Sequence, residues 1–336
     1  MATTTKPNRY PTMTDLMDRL DPDGEMADVV EVLNETNEML EDVVWEEANN
    51  KLSHKTTVRS GLPSVIWRKL NYGVPPSKSK TKQISDTCGM LESLAVIDKK
   101  LAAINGMKES WRASEEAPFV EAMSQEFQRA LLYGDSSKDP EKIMGFMPRF
   151  STITASKAEN AVNVISAGGT GSKLASILLV GWGKKTVHGI FPEGTKVGLD
   201  KTDLGEEPAR DEDGNEFRAL KTQFEWDVGL TVRDWRYVVR ICNISQTKLT
   251  KDPDDASGVD LITLMVKALA RVPSLSNARF AFYCNREIET YLRLQMKNTK
   301  NVHLSLDEAA GRPVLRFDGI PIRRVDAMGF AEAQGS

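Results

Sequence analysis

Apolar and polar positions alternate most regularly in residues 224–241, FEWDVGLTVRDWRYVVRI. Phe224, Trp226, Val228, Leu230 and Val232 fall on one face of an extended chain, and Glu225, Asp227, Gly229 and Thr231 on the other. Trp235–Ile241 is a second run of β-branched and aromatic residues, broken by Arg236 and Arg240, with a kink or turn expected at Arg233-Asp234. The pattern predicts a central strand pair of the main sheet. Leu174–Trp182, Thr186–Phe191 and Arg279–Tyr283 read as further strands, and Leu315–Phe317 with Ile320–Val325 as a closing hairpin across Asp318-Gly319.

Helical spacing appears in four places. Asp21-Pro22 followed by Met26, Val29, Val30, Leu33, Leu40, Val43 and Val44 predicts an amphipathic helix over residues 22–47 with an acidic outer face. Ser114 as cap, Glu115-Glu116, Pro118 in the first turn, the stripe Phe119, Met123, Phe127, Ala130 and Leu131, and Gly134 just past the end predict a helix over 114–133. Residues 259–272 and 286–296 give two shorter ones, with Leu261, Leu264, Met265, Ala268, Leu269 and with Ile288, Leu292, Met296 facing inward. Cys88–Ile104 fits a helix or a strand. Strands and helices mix without strict alternation, which argues for an α+β fold, and no internal repeat is visible.

His54–Ser60 and Val65–Tyr72 are β-rich runs separated by Gly61-Leu62-Pro63, and Val74-Pro75-Pro76 ends the second. They predict a long projecting hairpin. Charge sharpens that picture. The net charge is only −4, yet thirteen acids and one base, Arg19, lie between Asp15 and Glu47, followed by eight bases and no acid from Lys51 to Ser85. Such a switch separates two segments with different partners. The three cysteines are far apart and read as small buried hydrophobes in a reducing compartment. The polar N-terminus lacks a signal-peptide stretch, and Leu174–Trp182, interrupted by Ser176 and Gly181, is too short to span a bilayer. A soluble intracellular product is expected, with no membrane partner.

Candidate chemistry is thin. Gly168-Gly169-Thr170-Gly171-Ser172-Lys173 resembles a phosphate loop, but Ser172 stands between the last glycine and Lys173, no Ser or Thr follows, and a strand is expected next. Asp211–Glu216 brings its glycine too early for a calcium loop and reads as a hairpin turn. His54, His188 and His303 have no second ligand nearby in sequence. No catalytic residue, cofactor or metal is expected.

Seven segments together are similar to the major capsid proteins of tailed bacteriophages, of the short-tailed-phage type with the Hong Kong 97-like fold. They are HKTTVRSGLPSVIWRKLNYGVPPSKS (54–79), DTCGMLE (86–92), FQRALLYGD (127–135), NVISAGGTGSK (163–173), TVHGIFPEGTKVGL (186–199), WDVGLTVRDWRYVVRI (226–241) and DGIPIRRVDA (318–327). The resemblance implies an N-terminal arm (1–50), an extended β-hairpin loop (51–88), a peripheral domain (89–165) with a spine helix at 114–133, and an axial domain (166–336) whose closing strands return toward the peripheral one. It implies a structural protein that self-assembles into an icosahedral shell around packaged double-stranded DNA, without sequence specificity. Scaffolding, portal and decoration proteins are further implied partners, the virion the location, and the bacterial host cytoplasm the place of assembly. A cellular nanocompartment shell protein shares the fold and is the rival reading, ahead of a nucleotide-binding enzyme using Gly168–Lys173. The residues expected at the subunit interface are Arg59, Val65, Trp67, Arg68, Lys69, Lys78, Lys80 and Lys82. Covalent cross-linking, known in some relatives, is not carried over because no partner residues for it are identifiable.

Overall fold

The computed structural model describes residues 10–13, 38–104, 108–211, 213–250, 258–296, 304–309 and 312–335. Its strands are β1 (Trp45–Glu47), β2 (Ser53–Gly61), β3 (Lys80–Asp98), β4 (Val164–Ser166), β5 (Leu174–Trp182), β6 (Val187–Phe191) and β7 (Asp200–Arg210). They continue with β8 (Glu216–Val232), β9 (Val238–Ser245), β10 (Arg279–Cys284), β11 (Leu304–Ala309), β12 (Arg312–Phe317) and β13 (Ile320–Arg324). The helices are α1 (Met39–Asp42), α2 (Lys99–Ala102), α3 (Lys108–Tyr133), α4 (Phe146–Arg149), α5 (Leu261–Arg271) and α6 (Arg286–Gln295). Two compact units interleave along the chain. Residues 90–127 and 198–227 belong to one, and residues 35–89, 128–197 and 228–336 to the other.

The larger unit is organised on β5, all nine of whose residues are buried. It runs antiparallel to β9 on one side and to β10 on the other, and β13 lies parallel beyond β10. Asp318 and Gly319 both take positive φ, 47° and 80°, and so form the tight turn that joins β12 to β13 as expected. α5 and α6 lay Leu261, Met265, Ala268, Ile288 and Leu292 onto this sheet. Their starts are capped by Asp260, which accepts from Thr263 N at 3.0 Å, and by Asn285, which accepts from Ile288 N at 2.8 Å. The two halves of the 224–241 stretch are strands, but they are not paired with each other. β8 pairs with β6, β9 with β5 and β4, and a 3₁₀ turn at Trp235–Tyr237 carries the chain between them.

The acidic helix expected over 22–47 lies largely outside the described residues. Its described end differs from expectation: α1 stops at Asp42, and Trp45–Glu47 is a strand parallel to β6. The reason lies at Gly189. A Cβ there would sit 2.6 Å from the Trp45 ring, so glycine gives the indole its seat against β6.

In the smaller unit α3 packs against β3 and β8 through Trp111, Met123, Ala95, Phe224 and Leu220, with Phe119 stacked on Phe224 and Phe127 against Trp226. α3 begins at Lys108, earlier than Ser114, because buried Trp111 already anchors a turn upstream. Pro118 is therefore an interior residue. Gly134 ends the helix without a left-handed φ; glycine is required because a Cβ would lie 2.4 Å from Ile143 O and 2.5 Å from Ala130 O. β7 and β8 form a long hairpin, and the Asp211–Glu216 turn closes on Asp211 Oδ1, which accepts from Asp213 N and Asn215 N. The ambiguous Cys88–Ile104 stretch is strand to Asp98, then the short α2.

Candidate assembly surface

β2 and β3 pair antiparallel from Ser53↔Thr87 to Arg59↔Thr81, then slip by a residue to Gly61↔Lys80. The second strand of this hairpin is thus Lys80–Thr87 and not Val65–Tyr72, which lies in the tip and forms no strand. The run is β-prone in composition, but among the described residues it has no partner strand and no sheet to bury against, so propensity alone does not organise it. The tip has local order of another kind. Asn71 at φ 66° lets Tyr72 N reach Lys69 O, Arg68 Nε donates to Tyr72 O at 3.1 Å, and Ser77 Oγ ties back to Ser64 O at 2.9 Å.

All eight residues expected at the interface are exposed. Trp67 is 100% exposed, Leu70 92% and Val65 90%, and Leu62, Ile66, Tyr72 and Val74 are exposed with them. An apolar cluster of this density on one short segment is unusual for the surface of an isolated subunit. Among the described residues, none of the eight bases from Lys51 to Lys82 lies within ion-pair distance of an acid. The tip is therefore rich in exposed apolar side chains, and tip and stem alike carry positive charge without an ion-pair partner among the described residues.

The stem is rooted in the larger unit. Asn49 clamps Lys55 from both sides, Oδ1 accepting from its N at 2.8 Å and Nδ2 donating to its O at 2.7 Å. Buried Asp86 takes a 2.7 Å bond from Arg149, whose guanidinium also reaches Leu230 O. His54 on β2 meets His188 on β6 edge to face at 5.5 Å. Sequence reasoning saw these histidines only as distant; β6 has to be placed beside the stem before they become neighbours.

The chain leading into the stem is fixed by Asp42, which is 1% exposed. Its carboxylate accepts from Arg279 at 2.6 Å and from Tyr283 OH at 2.8 Å, and Trp182 Nε1 in turn donates to Tyr283 OH. Burial, with the Asp42 charge next, drives the Tyr283 phenol well above its ordinary range.

Gly168–Lys173 opens into β5, not a helix, and Gly169 N donates to Asn243 O, so the loop lacks the helix N-terminus a phosphate cradle needs. Among the described residues no cluster of histidine, cysteine or carboxylate side chains could hold a metal. Cys242 and Cys284 are fully buried, while Cys88 is only half-buried, unlike the expectation for all three. Among the described residues no helix is long and apolar enough to cross a membrane.

The family described as major capsid protein GP7 matches residues 21–335. The cryo-EM structure of bacteriophage Epsilon15 contains a chain 34% identical to this one, with a TM-score of 0.77, over 99% of this chain and 100% of that one. A chain from the capsid of a native GTA particle is similar at 11% identity and TM-score 0.48, covering 66% and 95%. One from an encapsulin complex of Synechococcus elongatus stands at 7% and 0.44, covering 66% and 92%. No curated protein matches. The fold is thus the α+β, Hong Kong 97-like architecture of tailed-phage shells. The chain belongs to the GP7 major capsid protein family and is a structural protein of an icosahedral phage capsid, the virion shell that its copies build.

Proposed function

We propose that the β2–β3 hairpin is the part with which each copy grips the next. The observation that carries this is Trp67, fully exposed at the centre of an apolar tip. Arg59, Val65, Arg68, Lys69, Lys78, Lys80 and Lys82 accompany it on the same surface. Burying such a tip on a neighbour converts unused apolar area into assembly energy, about 2–3 kcal/mol for one large side chain. The division follows the family's plan: arm at 1–50, extended loop at 51–88, peripheral domain at 89–165 and axial domain at 166–336.

The stem's bases meet the acids of residues 15–47 of a neighbouring copy, apart from Asp42 and Glu46, which are already bound within their own chain. Each exposed pair contributes about 0–1 kcal/mol, and repetition at every interface makes the sum matter. The assembled shell encloses double-stranded DNA without sequence specificity, has no enzymatic activity, and takes scaffolding, portal and decoration proteins as further partners during assembly in the host cytoplasm. The test is electron microscopy of the purified chain and of its Trp67→Ala variant: shells from the former and folded but unassembled subunits from the latter. Normal shells from the variant would overturn the reading.

A further inference from the structure

His54 sits opposite Asp86 on the β2–β3 stem, and His188 sits opposite Thr231 on the β6–β8 pair. Their rings meet at 88° with centroids 5.5 Å apart, so this contact joins the hairpin's root to the sheet of the larger unit. His188 is 1% exposed. The Nδ1 atoms of both rings are buried without a hydrogen-bond partner, as are Thr56 Oγ1, Asp86 Oδ2 and Thr231 Oγ1. A neutral imidazole leaves one nitrogen as a weak, tolerable acceptor. An imidazolium makes both nitrogens donors and carries a charge; His188 has Gly183 to bond and Asp86 Oδ2 is without a partner, but burial of the His188 ring still penalises that charge.

The charged groups facing the pair come from several elements. Glu46 on β1 and Asp86 on β3 favour a proton, but Glu46 is bound to Lys184 and Asp86 to Arg149. Arg233, just past β8, opposes it. Burial, then the neighbouring imidazole, pulls His188 down to about 4; burial, then Arg233, lowers His54 as well.

We propose that the His54–His188 pair is an acid-sensitive fastener: with both rings neutral it holds the hairpin stem against β6, and proton uptake by either ring releases the stem. The folded chain binds these protons less readily than the unfolded one. The pair's contribution is therefore whole above the ordinary histidine value of 6.5 and is lost as pH falls from there toward about 4. Its consequence for the shell, a hairpin freed from its own subunit in acid, rests on the hairpin being the subunit contact.

The experiment uses the full-length chain before assembly, so that the fastener is tested apart from that contact. Amide hydrogen exchange is followed in residues 53–61 and 80–87 from pH 7.5 to 4.5, corrected for the intrinsic pH dependence. Protection in the stem is expected to fall by up to ~10-fold per pH unit for each proton taken up, while β5 keeps its own. His54→Gln and His188→Gln are expected to flatten that dependence. Should either variant fail to fold, C2 hydrogen exchange of the imidazoles in the unaltered chain reads both titrations directly, with midpoints below the ordinary value. Stem protection that stays flat or rises in acid overturns the proposal; a rise would mean that His54 shares its proton with Asp86. An unchanged fall in the His54→Gln chain, or imidazole midpoints at or above the ordinary value, also overturns it. Shells that stay intact while the stem loosens would sink the hairpin's role as subunit contact and leave the fastener standing.

Discussion

Arg240 Nη2 donates to Glu332 Oε2 at 2.9 Å, and the two side chains are only 5% and 4% exposed. Arg240 stands on β9 in the middle of the larger sheet; Glu332 belongs to the C-terminal tail that crosses it. The guanidinium is filled out by Ser176 Oγ, Phe150 O and Met147 O, and the carboxylate by Tyr133 OH at 3.0 Å and Ser176 Oγ. Glu332 N also donates to Leu174 O and Gly335 N to Asn243 Oδ1, so the tail is laced to β5 and β9 and not merely laid on them.

Breaking this pair from one side strands a buried charge. Arg240→Met is expected to lower stability by about 3–5 kcal/mol, read as the urea midpoint of the unassembled chain. Arg240→Met combined with Glu332→Leu should recover much of the loss, because no orphan charge remains. A double variant as unstable as the sum of its parts would mean that the surrounding hydrogen bonds, and not the pair, hold the tail.

Trp67→Ala should leave the isolated subunit within about 0.5 kcal/mol of the unaltered chain, since a fully exposed side chain has no native packing to lose. Assembly should fail or require much higher protein concentration. Paired measurements of urea unfolding and of light scattering during assembly separate the two effects.

Reversing Lys78, Lys80 and Lys82 to Glu should block the formation of empty shells, and raised salt should slow assembly of the unaltered chain. Empty shells that form normally but retain less DNA would place these bases against nucleic acid and remove the electrostatic contact between copies.

Nucleotide hydrolysis should stay at background, with no change in Lys173→Ala. The Gly168–Lys173 loop feeds a buried strand and not a helix, and it spends Gly169 N on Asn243 O. Hydrolysis above background that disappears in Lys173→Ala would contradict this.

Much of the fold was legible because apolar periodicity is a local signal. β5, β6, β10, α5 and α6 appear within a residue or two of where the pattern puts them, and the Asp318-Gly319 and Asp213-Gly214 turns follow from residues that tolerate positive φ. The exposed residues of the hairpin were legible too, from charge and from apolar side chains that no monomer core could use. The errors fall where a local signal meets a non-local partner. Val65–Tyr72 has strand composition and, among the described residues, no strand to pair with. Trp45–Glu47 continues a helical pattern and is captured by β6. Arg240 reads as an interruption of an apolar run and is the centre of a buried network.

By itself the sequence determined the class of element at most positions, the family, and the uneven distribution of charge between residues 15–47 and 51–85. These depend on side-chain type and spacing along the chain, which short-range sterics and burial translate directly into structure. Only the tertiary structure decided which strands pair, that β8 and β9 part company after Val232, that Lys80–Thr87 is the strand facing Ser53–Arg59, and that His54 meets His188. Pairing of that kind is chosen by competition among many similar edges for the same buried area. The winner is set by how the whole sheet closes, a quantity that no single stretch of chain carries.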